Sequence, residues 1–276
     1  MKSMNEETVD LQQDAMEMLM ATSRTFFIPI SHLSEGLQEA VASAYLCMRA
    51  IDEIEDHPTL PAEEKISILR EIAAQLKKPN LEQNFDLIFK GYEQILPEVS
   101  LRLADWVRLC PLSISAKVYE STAIMALGMS EWIEKNWDIQ NREDLDSYTY
   151  YVAGLVGVML SDIWYWFDQT ETDKEQAISF GRGLQAVNII RNYDEDADRG
   201  VTFFPQGWSK SDMLAYARNH LRTADIYCDG IKTDSIFTFC KIPLVLAHGT
   251  LDAIEAGKEK LSREEVLALV NQVVNR

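Results

Sequence analysis

The sequence predicts an all-α fold, one bundle of crossing helices around a central cavity. Three observations carry that reading. Apolar residues recur at spacings of three and four along most of the chain, the period of an amphipathic helix. Alternating Val, Thr and Ile runs, which mark strands, are hard to find. Gly and Pro, the residues that punctuate turn-rich folds, number only 12 and 8 among 276 residues. That length is within reach of a single helical domain. With no linker, repeat or low-complexity tract in view, residues 1–276 read as one domain.

The helices follow in order. The first covers residues 7–23 and stops before Pro29, since the residue ahead of a proline disfavours helix. The second follows Ser34, a capping residue, and runs over 35–56, where His57-Pro58 ends it. The third spans 61–77. Further helices are predicted at 81–94, 99–108, 113–135, 142–168, 171–196, 209–227, 235–256 and 262–275.

Two acidic clusters stand out. Asp52-Glu53-Ile54-Glu55-Asp56 closes the second helix, and Asn192-Tyr193-Asp194-Glu195-Asp196 closes the one over 171–196. Residues four apart share a helix face. Val41, Tyr45, Met48, Asp52 and Asp56 form one stripe, so carboxylates continue an apolar face. Arg49 borders them one turn earlier. Gln185, Asn188, Asn192 and Asp196 form a second, polar stripe between Leu184, Val187, Ile189 and Ile190, with Arg191 beside it. Oxygen ligands held this way suit hard divalent cations such as Mg²⁺. On facing helices, the two clusters could clamp a diphosphate. The blander reading is a pair of solvated acidic faces in a chain with 44 acidic residues.

Composition narrows the partners. With 26 basic against 44 acidic residues, the formal charge is −18. That argues against nucleic acid and against docking on anionic lipid. The N-terminal residues are polar and acidic, and the apolar run 152–160 is too short to span a bilayer. The expectation is a soluble, cytoplasmic protein without a transmembrane anchor, with peripheral membrane contact left open by an oily substrate. Cys47, Cys110, Cys228 and Cys240 show no metal-ligand spacing and read as reduced core thiols. His57, just past a helix end, reads as a cap. No His pairs with a Ser or Cys in a hydrolase motif.

Two further segments bear chemistry. Thr22-Ser23-Arg24-Thr25-Phe26 puts hydroxyls and a guanidinium beside a helix end, groups that bind phosphate well, or that merely cap a helix. Tyr148-Thr149-Tyr150-Tyr151-Val152-Ala153-Gly154-Leu155-Val156-Gly157 has small residues three apart, which permit close helix approach. Its tyrosines either pack in the core or line a pocket facing an anion or carbocation. Trp164, Trp166 and Phe167 read as core.

These blocks, in this order, resemble the squalene/phytoene synthase family: Ser23–Phe26, Tyr45 through Asp56, Tyr150–Gly157, and Gln185–Arg191 running into the second acidic motif and Pro205. The resemblance covers residues 22–252. It implies the isoprenoid-synthase fold, Mg²⁺ and allylic substrates such as farnesyl diphosphate. By that match Asp52, Asp56, Asn188, Asn192 and Asp196 hold metal. Ser23, Arg24, Thr25, Arg49, Gln185 and Arg191 lie near diphosphate, and Tyr45 and Tyr150 face the reacting centre.

The departures concentrate in the second half. Asn192 stands where the family has Asp. Gly200-Val201-Thr202-Phe203-Phe204-Pro205 lacks the Arg and Tyr of Gly-Arg-x-Tyr-x-Pro, and Ala247-His248-Gly249-Thr250 lacks those of Ala-Arg-x-Tyr. The expectation drawn from this is Mg²⁺-dependent hydrolysis of farnesyl diphosphate to farnesol on the synthase scaffold. The alternatives are head-to-head condensation to presqualene diphosphate, dehydrosqualene or squalene, and a non-catalytic prenyl-diphosphate binder.

Overall fold

A computed structural model describes residues 4–78, 85–198 and 200–275, with the side chains of residues 4–9 and of Arg24 outside the description. Every regular element among the described residues is helical, as the sequence predicts. The chain divides into two compact units, residues 1–136 and 137–276, taken in turn.

In the first unit α1 spans Met4–Thr22. Ser23 leaves the helix at φ −154° and its Oγ accepts from Phe26 N, 3.3 Å away, capping α2 (Arg24–Ser31). The sequence predicts no helix between residue 23 and Ser34, since Pro29 stands there. Pro29 instead lies in the last turn of α2, where it removes a single ladder bond. Gly36, at φ +82°, opens α3 (Leu37–Glu55) in place of the expected Ser34, and Glu39 accepts from Gly36 N at 2.5 Å. α3 is buried on most of its circumference. Ala40, Leu46, Ala50, Ile51 and Ile54 are fully buried, and each buried Leu or Ile contributes roughly 1.5–3 kcal/mol.

α4 (Ala62–Leu76) packs on α8 (Leu112–Glu134). Between them in sequence come α5 (Phe85–Ile88), α6 (Glu98–Leu101) and α7 (Leu103–Leu109). The helix expected over 81–94 is thus only one short turn within the described residues. Gly91 at φ +95° interrupts the path beyond it, and the start of that expected helix, 81–84, lies outside the description. The helix expected over 99–108 breaks at Arg102 (φ −91°, ψ 19°). Buried serines tie the layers: Ser43 Oγ donates to Trp106 O at 2.7 Å, and Ser100 Oγ to Ala50 O at 2.8 Å. His57, expected to cap the helix before it, instead holds the turn that follows: its Nδ1 accepts from Leu60 N at 3.2 Å and its Nε2 lies 3.0 Å from Ile95 O, while Asp56 is the C-cap of α3.

The second unit begins with α9 (Arg142–Thr149), passes through a π-helical turn at Tyr150–Gly154, and continues as α10 (Leu155–Asp168). α11 (Lys174–Arg191) is capped by Asp173, which accepts from Gln176 N at 3.0 Å. α11 packs against the π turn and α10 at very short range. A Cβ on Gly157 would lie 2.2 Å from Ala177 O, and one on Gly181 2.2 Å from Ala153 O. The small residues seen in the sequence do permit close approach. After α12 (Tyr193–Asp198) come α13 (Lys210–Asp229), α14 (Asp234–Glu255) and α15 (Arg263–Val274), close to the expected bounds. By length and composition α14 could cross a membrane. Half of its most apolar window is buried, however, as in the core helix of a folded unit. All four cysteines are free and buried.

Candidate active site

α3 carries the most complete constellation. Its stripe runs from core to surface: Val41 and Met48 are buried, Tyr45 and Asp52 half-buried, Asp56 exposed. The Tyr45 hydroxyl is hydrogen-bonded to Ser23, and the Phe26 and Tyr45 rings lie 5.5 Å apart. The Ser23 block and the acidic block, 29 residues apart in sequence, therefore meet. Burial holds the Tyr45 hydroxyl proton above its ordinary pKa, with the Ser23 bond and the Arg49 charge pulling the other way. Thr25 is exposed in the first turn of α2. The Arg24 side chain lies outside the described residues.

Arg49 donates from Nη1 to Asp52 Oδ2 at 2.5 Å and from Nη2 to Glu53 Oε1. Burial raises the Asp52 pKa to about 6. Arg49 opposes that rise, while Asp56 and Glu53 add to it. A carboxyl set among other carboxyls is poised for a cation. Asp52, Glu55 and Asp56 form, among the described residues, a group in which one carboxylate oxygen from each lies within 4.8 Å of the others. A purely oxygen donor set fits Mg²⁺. Glu55 belongs to the first acidic cluster but is not among the residues that the sequence assigns to metal; it is one of 44 acids and stands off the four-residue spacing. Lys65 on α4 donates to the Glu55 carbonyl at 2.5 Å. It is buried, and a cation there complements the C-terminal end of α3.

The second motif is built differently from the continuous helix over 171–196 that the sequence suggests. α11 ends at Arg191 and Asn192 takes φ −95°, ψ 8°. The ladder still bridges the break: Asn192 N bonds to Asn188 O and Asp196 N to Asn192 O, both at 2.9 Å. The polar stripe thus persists across the kink. Asn188 and Arg191 are exposed, Gln185 and Asn192 half-buried, and Asp196 is 6% exposed. Asn188 Nδ2 reaches Gln185 Oε1 at 3.5 Å, and Arg191 Nε donates to Asn192 Oδ1 at 3.1 Å. The amide oxygen expected to ligate metal is already an acceptor for Arg191.

Tyr150 opens the π turn half-buried, 5.4 Å ring to ring from Tyr151. π turns widen a helix by one residue and frequently mark functional sites; no pattern in the sequence announced this one. Phe203, which departs from the family's Tyr, stacks on Tyr148 at 4.8 Å, and Phe204 packs on Tyr193 at 4.6 Å. The ring is kept at position 203 and the hydroxyl is gone. His248, in the Ala-His-Gly-Thr departure, bonds Asp225 at 2.9 Å on the α13–α14 side of the unit.

A buried polar network behind the π turn also went unforeseen. Tyr216 donates to Asp146 Oδ1 at 2.6 Å, and Arg182 donates to the Asp146 carbonyl at 3.0 Å. Ser179 Oγ and His220 Nδ1 lie 2.6 Å apart. Its residues are scattered over α9, α11 and α13, so no local spacing reveals it.

Comparison with known proteins agrees with the resemblance. The squalene/phytoene synthase family model matches residues 19–212. The squalene synthase of Schizosaccharomyces pombe is 34% identical over 269 residues, 86% of this chain and 58% of that protein. Those of Dictyostelium discoideum and Rattus norvegicus are each 30% identical, covering 91% and 92% of this chain and 66% and 68% of their own. The chain therefore spans 58 to 68% of the length of these relatives. A solved structure of TcSQS with the ligand E5700 superposes at a TM-score of 0.78, with 23% identity over 95% of this chain and 85% of that one. A dehydrosqualene synthase in complex with ligand gives 0.64 at 20% identity, over 98% and 97%. At these identities the two structures speak for the fold, and it is all-α. The chain belongs to the squalene/phytoene synthase family.

Proposed function

We propose that this protein condenses two prenyl diphosphates head to head, releasing diphosphate and giving a C30 product of the presqualene, dehydrosqualene or squalene type. The observation that carries the reading is the α3 face, where Ser23, Tyr45, Arg49 and the Asp52–Glu55–Asp56 group adjoin. The relatives reported above are named for squalene synthesis, and none is named for hydrolysis. The preference thus moves from farnesol release to condensation.

In this reading Asp52, Glu55 and Asp56 hold Mg²⁺, and Asn188, Asn192 and Asp196 supply the oxygens of the second motif. The bound cations would act as Lewis acids that take up charge on the departing diphosphate. Ser23, Arg24, Thr25, Arg49, Gln185 and Arg191 orient the diphosphate, Arg through its planar fork of donors. Tyr45 and Tyr150 present hydroxyls and ring faces to the reacting carbon. Tyr45 stays protonated and can donate, because burial raises its pKa. Residues 1–276 act as one prenyl-diphosphate-binding domain in a cytoplasmic protein that meets its oily substrate by peripheral contact. Nucleic acid has no part in it.

Hydrolysis is the second reading, favoured by Asn192, whose Oδ1 accepts from Arg191. A neutral, partly occupied ligand binds metal less tightly and would leave the first cation to be captured by water. Mass spectrometry of products from farnesyl diphosphate and Mg²⁺, with and without NADPH, separates the readings. A C30 hydrocarbon or presqualene diphosphate supports condensation. Farnesol as the main product overturns it in favour of hydrolysis. Tight binding of a thio-analogue without turnover overturns both.

A further inference from the structure

The nitrogens of Arg49 are used unequally. Nη1 donates to Asp52 and Nη2 to Glu53, while Nε is buried without a partner. In a guanidinium the Nε and Nη2 hydrogens point the same way and form the edge that grips two oxygens of one carboxylate or phosphate side by side. Glu53 fills half of that edge.

An Arg–Glu pair four apart on a helix is ordinarily a surface contact of small worth. Three observations set this one apart. Arg stands N-terminal to Glu, the less favourable order for such pairs. Asp52 already balances the guanidinium charge, so a second carboxylate in a patch that also holds Glu55 and Asp56 is electrostatically surplus. And the neighbouring Nε donor stays unsatisfied in a buried position, which natural structures usually avoid.

We infer that Glu53 is a stand-in for diphosphate: a carboxylate built into α3 that occupies Arg49 until the substrate's phosphate oxygens displace it and take Nε and Nη2 together. The inference rests on the reading above that Arg49 serves the diphosphate. It makes Glu53 a positioning residue. It keeps the guanidinium on the ligand-binding side of α3 in the free protein, and it weakens diphosphate binding by competition, which favours product release.

The test is calorimetric titration of inorganic diphosphate into the full chain, with and without Mg²⁺. It compares the parent with Glu53→Gln, Arg49→Lys and Glu71→Gln, the last removing an equal charge from an exposed site on α4. Circular dichroism reports that each is folded, and Glu53→Ala replaces Glu53→Gln if the latter is not. Glu53→Gln is expected to bind diphosphate about threefold more tightly, the worth of a half-exposed helix pair, with Glu71→Gln unchanged. Unchanged or weaker binding by Glu53→Gln overturns the inference, as does equal tightening by Glu71→Gln. Unchanged binding by Arg49→Lys, which loses the two-pronged edge, overturns instead the placement of Arg49 at the diphosphate.

Discussion

Gly157 and Ala177 touch backbone to backbone: a Cβ on the glycine would lie 2.2 Å from the alanine carbonyl oxygen. Gly181 makes the reciprocal contact with Ala153. These two pairs lock α11, which carries Gln185 and Asn188, against the turn that carries Tyr150.

Gly157→Ala is therefore expected to destabilise the protein by about 3 kcal/mol, the upper range for overpacking, because the obstacle is backbone and cannot rotate away. Gly207→Ala is the contrast. Gly207 has φ +81° but nothing within 4 Å of a Cβ, so only the left-handed strain applies, about 1–2 kcal/mol. Thermal denaturation of the two variants should rank them in that order.

Asp52→Asn should separate metal binding from folding. At Asp52, burial, Asp56 and Glu53 all work against the charged form, and only Arg49 supports it. Neutralising the group is expected to leave the metal-free protein as stable as the parent, or up to about 1–2 kcal/mol more stable. Mg²⁺ at a hundred times its dissociation constant should stabilise the parent by about 2.7 kcal/mol and the variant far less, and turnover should fall at least about a hundredfold. Melting curves with and without Mg²⁺ provide the check; an equal Mg²⁺ effect on both proteins would remove Asp52 from the metal site.

His220 predicts an acid-sensitive fold. Burial lowers its pKa to about 4 from an ordinary 6.5, Arg182 and Arg142 reinforce that, and only Asp146 opposes it; Tyr216 packs on the ring. Between these two values the unfolded chain binds a proton that the folded one refuses. Stability is therefore full above about pH 6.5 and falls as pH drops toward 4, by at most about 3 kcal/mol. Denaturant unfolding at pH 7 and pH 4.5 should show that loss in the parent, and a smaller one in His220→Gln.

How much of this was legible beforehand depended on whether a feature is local. Asp52 and Asp56 stood out because carboxylates continued an apolar stripe on one helix, and Arg49 because it lies three residues from Asp52, within side-chain reach. The Ser23 cap was legible as a cap, but Pro29 masked the helix that it starts. Asn192 was placed on the right face yet inside the wrong element: the spacing from Gln185 to Asp196 runs through the kink, and only the backbone dihedrals reveal it. The π turn at Tyr150 and the Asp146–Tyr216 network left no spacing to read, since tertiary packing of α9, α11 and α13 creates both. Glu55 joins the group only in three dimensions, because three-residue spacing from Asp52 is common in so acidic a chain.

Asn192→Asp bears most directly on which reaction the scaffold performs. Asn192 Oδ1 accepts from Arg191 Nε at 3.1 Å, so an aspartate there would find a cationic partner and add a formal charge beside the stripe that holds Asn188 and Asp196. One added charge near the protein surface is worth on the order of 1 kcal/mol toward a divalent cation after screening, or about fivefold in affinity. The expected result is a fivefold lower Mg²⁺ concentration for half-maximal turnover, together with a larger share of C30 product relative to farnesol, because a better-held leaving group gives water less time to intercept the cation. Product ratios measured across a Mg²⁺ titration decide it. A lower Mg²⁺ requirement with an unchanged ratio would mean that Asn192 tunes metal affinity alone and that the departures at Val201 and Phe203 govern the outcome.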